Sequence, residues 1–208
     1  MFNYIKDPTE IYARSFEIIR AETDFSRLPK NAEAIATRII HACGMTEIVD
    51  DLVVTPDFAD AAKHALALGK PIFVDAEMVR HGIIARQLPK GVEIICTLND
   101  PRAREIGIAK SITRSAAAVE LWRPDLEGAI VVIGNAPTAL FALLEMLDAG
   151  APKPACIAGF PVGFVGAAES KAELISNPRG IPFATIKGRR GGSAMASSVI
   201  NALTSDSQ

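Results

Sequence analysis

Two rhythms of apolar residues run through this chain. In the first third they fall three and four apart, with polar residues between, as on helices packed along one stripe. Asp7-Pro8-Thr9-Glu10 opens the first such segment. Asp7 is suited to cap, Pro8 to the first helical position, and Glu10 to complete a capping box. This predicts a helix to about Glu22 that buries Ile11, Phe16, Ile18 and Ile19. A second helix is predicted from near Asn31 to Gly44, a residue able to take the left-handed C-terminal conformation. Thr55-Pro56-Asp57 opens a third, closed by Gly69 ahead of Pro71.

Beyond residue 70 the rhythm changes. Short apolar runs without a period of two, at 72–74, 92–96, 129–133, 155–158 and 183–186, read as strands buried on both faces. Helical segments at 115–122, 137–148, 167–176 and 192–203 lie between or after them. Such alternation predicts a three-layer α/β/α domain, a parallel sheet of about five strands with helices on both faces. One domain spans 1–208, with 204–208 a frayed tail. Ligands of such sheets lie beyond the carboxyl ends of the strands, at a topological switch point. That draws attention to the loops at 75–78, 97–102, 134–138, 159–166 and 188–193, dense in glycine and proline.

Composition narrows the function. Of 208 residues 49% are hydrophobic, enough for a full core without disulfides or structural metal. A formal charge of −2 argues against a nucleic-acid binder, whose basic stripe would tilt the domain positive. Three cysteines (Cys43, Cys96 and Cys156) without a C-x-x-C fit a reducing compartment. The N-terminus does not read as a signal peptide. No apolar stretch approaches the roughly 18 residues of a membrane span. The expectation from these numbers is a cytoplasmic protein.

Familiar catalytic strings are missing. Gly159, Gly163 and Gly166 have the wrong spacing for G-x-G-x-x-G, and GRRGGS at 188–193 lacks the lysine of a phosphate loop. Neither G-x-S-x-G nor H-E-x-x-H occurs. His41 and Cys43 lie two apart on the second helix and point about 200° from each other, which disfavours a dyad. No spacing signature joins His41, Cys43, His64 and His81 into a zinc site. Arg38 and His41, three apart, share a face instead, while Ile35, Ile39 and Cys43 form the buried stripe. A guanidinium beside an imidazole suits an anionic ligand that also needs a proton; a solvated face with an incidental histidine is the plainer alternative. Arg114 stands at a helix start, where free amides attract carboxylates, and Arg189 and Arg190 precede another. Arg14-Ser15 interrupts the first helix.

Seven strings combine into a resemblance: IYARSFEIIR (11–20), HACG (41–44), DAEM (75–78), TRSAAA (113–118), GNAPTAL (134–140), PVGFV with ESK (161–165, 169–171) and GRRGGS (188–193). Together they resemble the precorrin-8X methylmutase family. The resemblance implies a flavodoxin-like fold, a homodimer with the active site at the subunit interface, and no cofactor or metal. It also implies migration of a methyl group from C-11 to C-12 of a tetrapyrrole, giving hydrogenobyrinic acid or, from a cobalt-loaded substrate, cobyrinic acid. The family's catalytic histidine corresponds to His41, and its substrate contacts to Ser15 and Arg38. The helix-start argument adds Arg114. Apolar loop residues Phe160, Val162 and Phe164 would either cover the ring or belong to the core. Two rival expectations are a tetrapyrrole carrier and a flavin-binding electron carrier.

Overall fold

The computed structural model describes residue 2 and residues 4–204; positions 205–208 of the expected tail lie outside the described residues. Helix α1 spans Pro8–Glu22, and the Asp7 carboxylate accepts from the Glu10 amide as predicted. After a 3-10 turn at Lys30–Ala32, α2 runs over Glu33–Cys43, and Gly44 at φ 70° donates its amide to Ile40 O. A second 3-10 stretch, Thr46–Asp51, leads into strand β1 (Leu52–Val54) and helix α3 (Phe58–Ala67). Then come β2 (Ile72–Val74), α4 (Glu77–Gly82), β3 (Ile94–Cys96), α5 (Pro101–Lys110) and α6 (Arg114–Glu120). The chain closes with β4 (Ile130–Ile133), α7 (Pro137–Asp148), β5 (Cys156–Gly159), α8 (Ala167–Ser176), β6 (Phe183–Ile186) and α9 (Ser193–Thr204).

The strands form one sheet in the order β1-β6-β5-β4-β2-β3. Five are parallel, and β1 adds an antiparallel edge on β6 through Leu52↔Ile186, Val53↔Thr185 and Val54↔Ala184. Side chains alternate between two cores. Ile72, Val74, Ile130, Val132 and Ala158 enter the first, covered by α1 to α4 and α9. Phe73, Val131, Ile133 and Ile157 enter the second, under α6, α7 and α8. Burial on both faces explains why the strands read as unbroken apolar runs. In the second core Trp122 is fully enclosed, stacks on Phe73 at 5.4 Å, and donates Nε1–H to Thr97 Oγ1 at 2.8 Å.

Three expectations need correction. Of the four residues expected to bury α1, Ile19 does, Phe16 is half-buried, and Ile11 and Ile18 stay 44% and 40% exposed. The helix lies outside α2 rather than on the sheet, so one narrow seam is covered. Thr204 closes α9 and is not part of a frayed tail. Finally, α4 and α5 begin within the expected loops 75–78 and 97–102 and run on through stretches where no helix was expected. The buried residues of α5 are Ala103 and Gly107, too small to signal a stripe, and α4 is six residues long.

Candidate active site

The chain reverses direction in the sheet between β2 and β4, so the switch-point crevice lies beyond Val74 and Ile133. The protein fills it itself. Asp75, 2% exposed, follows β2 and accepts from the amides of Gly134 (2.8 Å), Asn135 (3.0 Å) and Ala136 (2.7 Å) after β4. Burial pushes the Asp75 carboxyl pKa up, and the three amides pull it back. Gly134 has no room for a side chain: a Cβ would stand 2.8 Å from Ala196 Cβ and from Val79 Cγ2.

The open cleft is therefore displaced into one helical layer. It has a volume of about 450 Å³. Tyr12 of α1 with Arg38 and His41 of α2 make one wall. Ser193, Ala194, Ser197, Ser198 and Asn201 of α9 make the other, and Met78, Gly82 and Ile84 floor it from the α4 side. Of the loops that follow strands, 75–78 contributes Met78 and 188–193 contributes Ser193.

Helix spacing assembles the first wall. Arg38 and His41 sit one turn apart on α2, as Tyr12 and Ser15 do on α1, so two pairs meet where the helices pack. Ser15 Oγ and His41 Nδ1 share a hydrogen bond of 2.8 Å. The imidazole lies 5.3 Å from the Tyr12 ring and stands edge-on to Phe16 at 5.4 Å. The Arg38 guanidinium lies over the Tyr12 and Phe16 rings at 5.7 and 5.6 Å. His41 is half-buried. Burial, then the Arg38 charge, pull its pKa below the ordinary 6.5. The imidazole is thus held in place by Ser15 and two aromatic rings, and its surroundings disfavour the charged form.

Cys43 takes no part. Its thiol lies against Ile40 O at 3.6 Å, and burial raises its pKa. Arg114 is exposed at the start of α6, on the opposite layer of the sheet, and does not line the cleft. The Thr113 hydroxyl that caps α6 instead donates to Thr138 Oγ1 at the start of α7, at 2.8 Å. Phe160 belongs to the core, whereas Val162 and Phe164 are 42% and 84% exposed. Among the described residues no cluster of His, Cys, Asp and Glu is placed to hold a metal ion. No helix there is long and apolar enough to cross a membrane.

The α9 wall escaped sequence reading, although a signal exists. Residues 193, 197 and 201 recur at i, i+4 and i+8, and 194 and 198 stand beside them, a stripe of small and mostly polar residues on an otherwise apolar helix. Tyr12 was equally readable, one turn before Ser15.

A family model described as precorrin-8X methylmutase matches residues 10–205. The chain belongs to the precorrin-8X methylmutase family. The precorrin-8X methylmutase of Pseudomonas aeruginosa is 53% identical over 206 residues, covering 99% of both chains. That of a Sinorhizobium species is 54% identical over 202 residues, 97% of this chain and 96% of that one. A cobalt-precorrin-8 methylmutase of Salmonella typhimurium is 37% identical over 210 residues, 97% of this chain and 96% of that one. The crystal structure of the Thermus thermophilus precorrin-8x methyl mutase superposes with a TM-score of 0.84 at 34% identity, over 94% of each chain. Like its family, the chain is an isomerase of cobalamin biosynthesis that moves a methyl group within its substrate.

Proposed function

We infer that this isomerase acts on precorrin-8X, moving the methyl group from C-11 to C-12 to give hydrogenobyrinic acid, with His41 as proton donor. The observation that carries this reading is the His41 imidazole itself, half-buried on an open cleft with Ser15 at one nitrogen and Arg38 one turn away. A histidine sealed in the core would have removed it.

A sigmatropic shift needs no nucleophile: the C-11 to methyl bond breaks as the C-12 to methyl bond forms. Protonating a ring nitrogen changes the conjugation and favours the migrated isomer. As imidazolium, His41 donates its Nδ1 proton to Ser15 and keeps the Nε2 proton for the ring. Substrate and product are isomers, so the proton given is matched by one the macrocycle releases. Arg38 grips a peripheral carboxylate while its aromatic neighbours hold the guanidinium in place. The remaining contribution is orientation of a rigid ring between two walls.

A homodimer with the site at its interface fits the outward face of α1, where Ile11, Tyr12 and Ile18 remain exposed. Arg114, remote from the cleft of its own chain, enters this reading as a carboxylate contact reaching the site of a second copy. A metal-free substrate and a cytoplasmic setting complete the proposal. Support for the former is the higher identity to the two precorrin-8X methylmutases, 53% and 54%, than to the Salmonella typhimurium cobalt-precorrin-8 methylmutase, 37%.

Timed absorbance spectra test it, because migration alters the chromophore and binding alone does not. Precorrin-8X should convert with wild-type protein, and His41→Ala should bind the ring but leave its spectrum unchanged in time. Ordinary turnover by His41→Ala removes the proton-donor role. Binding without conversion by the wild type would make the chain a tetrapyrrole carrier.

A further inference from the structure

The loop at 187–192, between β6 and α9, decides where one wall of the cleft stands, yet its own sequence gives it little stiffness. Gly188, Gly191 and Gly192 all take positive φ. Its fixity comes from neighbours. Gly192 N donates to Phe160 O at 2.8 Å, Gly163 N to Arg189 O at 3.3 Å, and Lys187 N to Asp51 O at 2.9 Å. Gly191 lies so close to that backbone that a Cβ would stand 2.4 Å from Phe160 O. The Arg190 guanidinium is paired with Asp51 at 3.1 Å and Glu47 at 3.5 Å. From inside the protein, the Lys171 ammonium of α8 donates to the Arg190 carbonyl.

Lys171 is an unusual choice for that place. Its relative exposure is 0%, and the partner its ammonium meets is a carbonyl rather than a carboxylate. Burial lowers its pKa to about 8. A buried charge without a counter-ion costs stability, and an apolar side chain of similar volume is often neutral or better. What the lysine alone supplies is the tie to Arg190. We propose that Lys171 is a positioning residue for the methyl migration, fixing the β6–α9 loop so that the α9 wall stands at the spacing the macrocycle requires. The two residues after Arg190 lead straight into Ser193, the first of that wall.

This inference rests on the cleft being the tetrapyrrole site, and the experiment separates the two. Lys171→Met keeps length and volume but removes the donor; Lys171→Gln keeps an N–H on a shorter arm. Each is compared with wild type for thermal midpoint, amide hydrogen exchange at 191–194, and KM and kcat with precorrin-8X. A misplacement of about 1 Å can cost about 10²-fold, and because α9 carries none of the groups proposed to react, the loss falls on binding. Lys171→Met should therefore raise KM about ten- to hundredfold, with kcat within about threefold, exchange at 191–194 faster, and the thermal midpoint unchanged or higher. Lys171→Gln should fall between Met and wild type. Unchanged KM and unchanged exchange in a folded Lys171→Met overturn the proposal, as does failure of both variants to fold, which makes the lysine structural. If the wild type itself does not convert precorrin-8X, the substrate reading falls, while the exchange data still decide whether Lys171 holds the loop.

Discussion

The two walls of the cleft are built on opposite plans. The α1–α2 wall carries Tyr12, Arg38 and His41, large groups that hold charge or move protons. The α9 wall carries Ser193, Ala194, Ser197, Ser198 and Asn201, small groups already committed in part to their own helix. Ser197 and Ser198 donate to carbonyls three residues back, Ala194 O at 3.2 Å and Met195 O at 2.7 Å. Asn201 accepts from the Ile84 amide and donates to Gly82 O, lacing α9 to the end of α4. On the proposed reading, one wall performs the chemistry and the other defines the space. Substitutions should separate accordingly, into losses of rate on the first and losses of fit on the second.

The sharpest break is at His41. Removing a general acid lowers rates by about 10²–10⁴-fold, so His41→Ala should lose kcat by that order and retain product affinity, as read by stopped absorbance and titration. Next comes crowding the opposite wall. Ala194→Phe adds bulk at an exposed position, so the thermal midpoint should hold while KM rises at least about tenfold. An unchanged KM would show that the macrocycle does not reach α9.

Arg38→Ala sharpens the contrast within the first wall. A charge-assisted contact is worth about 1.5–3 kcal/mol, so KM should rise about ten- to hundredfold. The same change removes a neighbouring positive charge that disfavours imidazolium. The His41 pKa should then move up, and the limb on which activity falls with rising pH should shift to higher pH. A limb that stays or moves down would detach His41 from the acid role. For folding the sign is opposite in sense: a depressed imidazole pKa favours the native state above about pH 6.5, and that contribution fades as pH falls toward the lowered value. The smallest effect on turnover belongs to the far side of the sheet. Trp122→Ala should cost about 3–5 kcal/mol of stability by denaturant unfolding, with KM unchanged at temperatures where it stays folded.

How much of this was readable in advance follows from what leaves a trace in sequence. Asp7, Pro8 and Gly44 declared helix ends because local backbone groups demand particular residues there. Strands β2, β4, β5 and β6 declared themselves through burial on both faces, and the half-buried edge strand β3 through its apolar run. Strand β1 did not, because it continues directly from a 3-10 stretch, and α5 did not, because Ala103 and Gly107 bury almost no surface. The pairing of Arg38 with His41 followed from helix geometry alone. Their meeting with Ser15 and Tyr12 depends on how α1 crosses α2, a tertiary fact that the strings suggested only by resemblance. A similar limit applies to Arg114: a helix start can be read from Thr113-Arg114-Ser115, but not the side of the sheet on which it lies.

Asp75 has an implication for what this scaffold can become. In many relatives of its architecture, the amides after a central strand are left free to receive a phosphate. Here a side chain from the neighbouring strand has moved in as permanent tenant. A cofactor seeking that seat would have to evict a carboxylate from three well-formed hydrogen bonds. New ligands are therefore more easily won by recutting the helices around α9 than by adjusting the glycine loop.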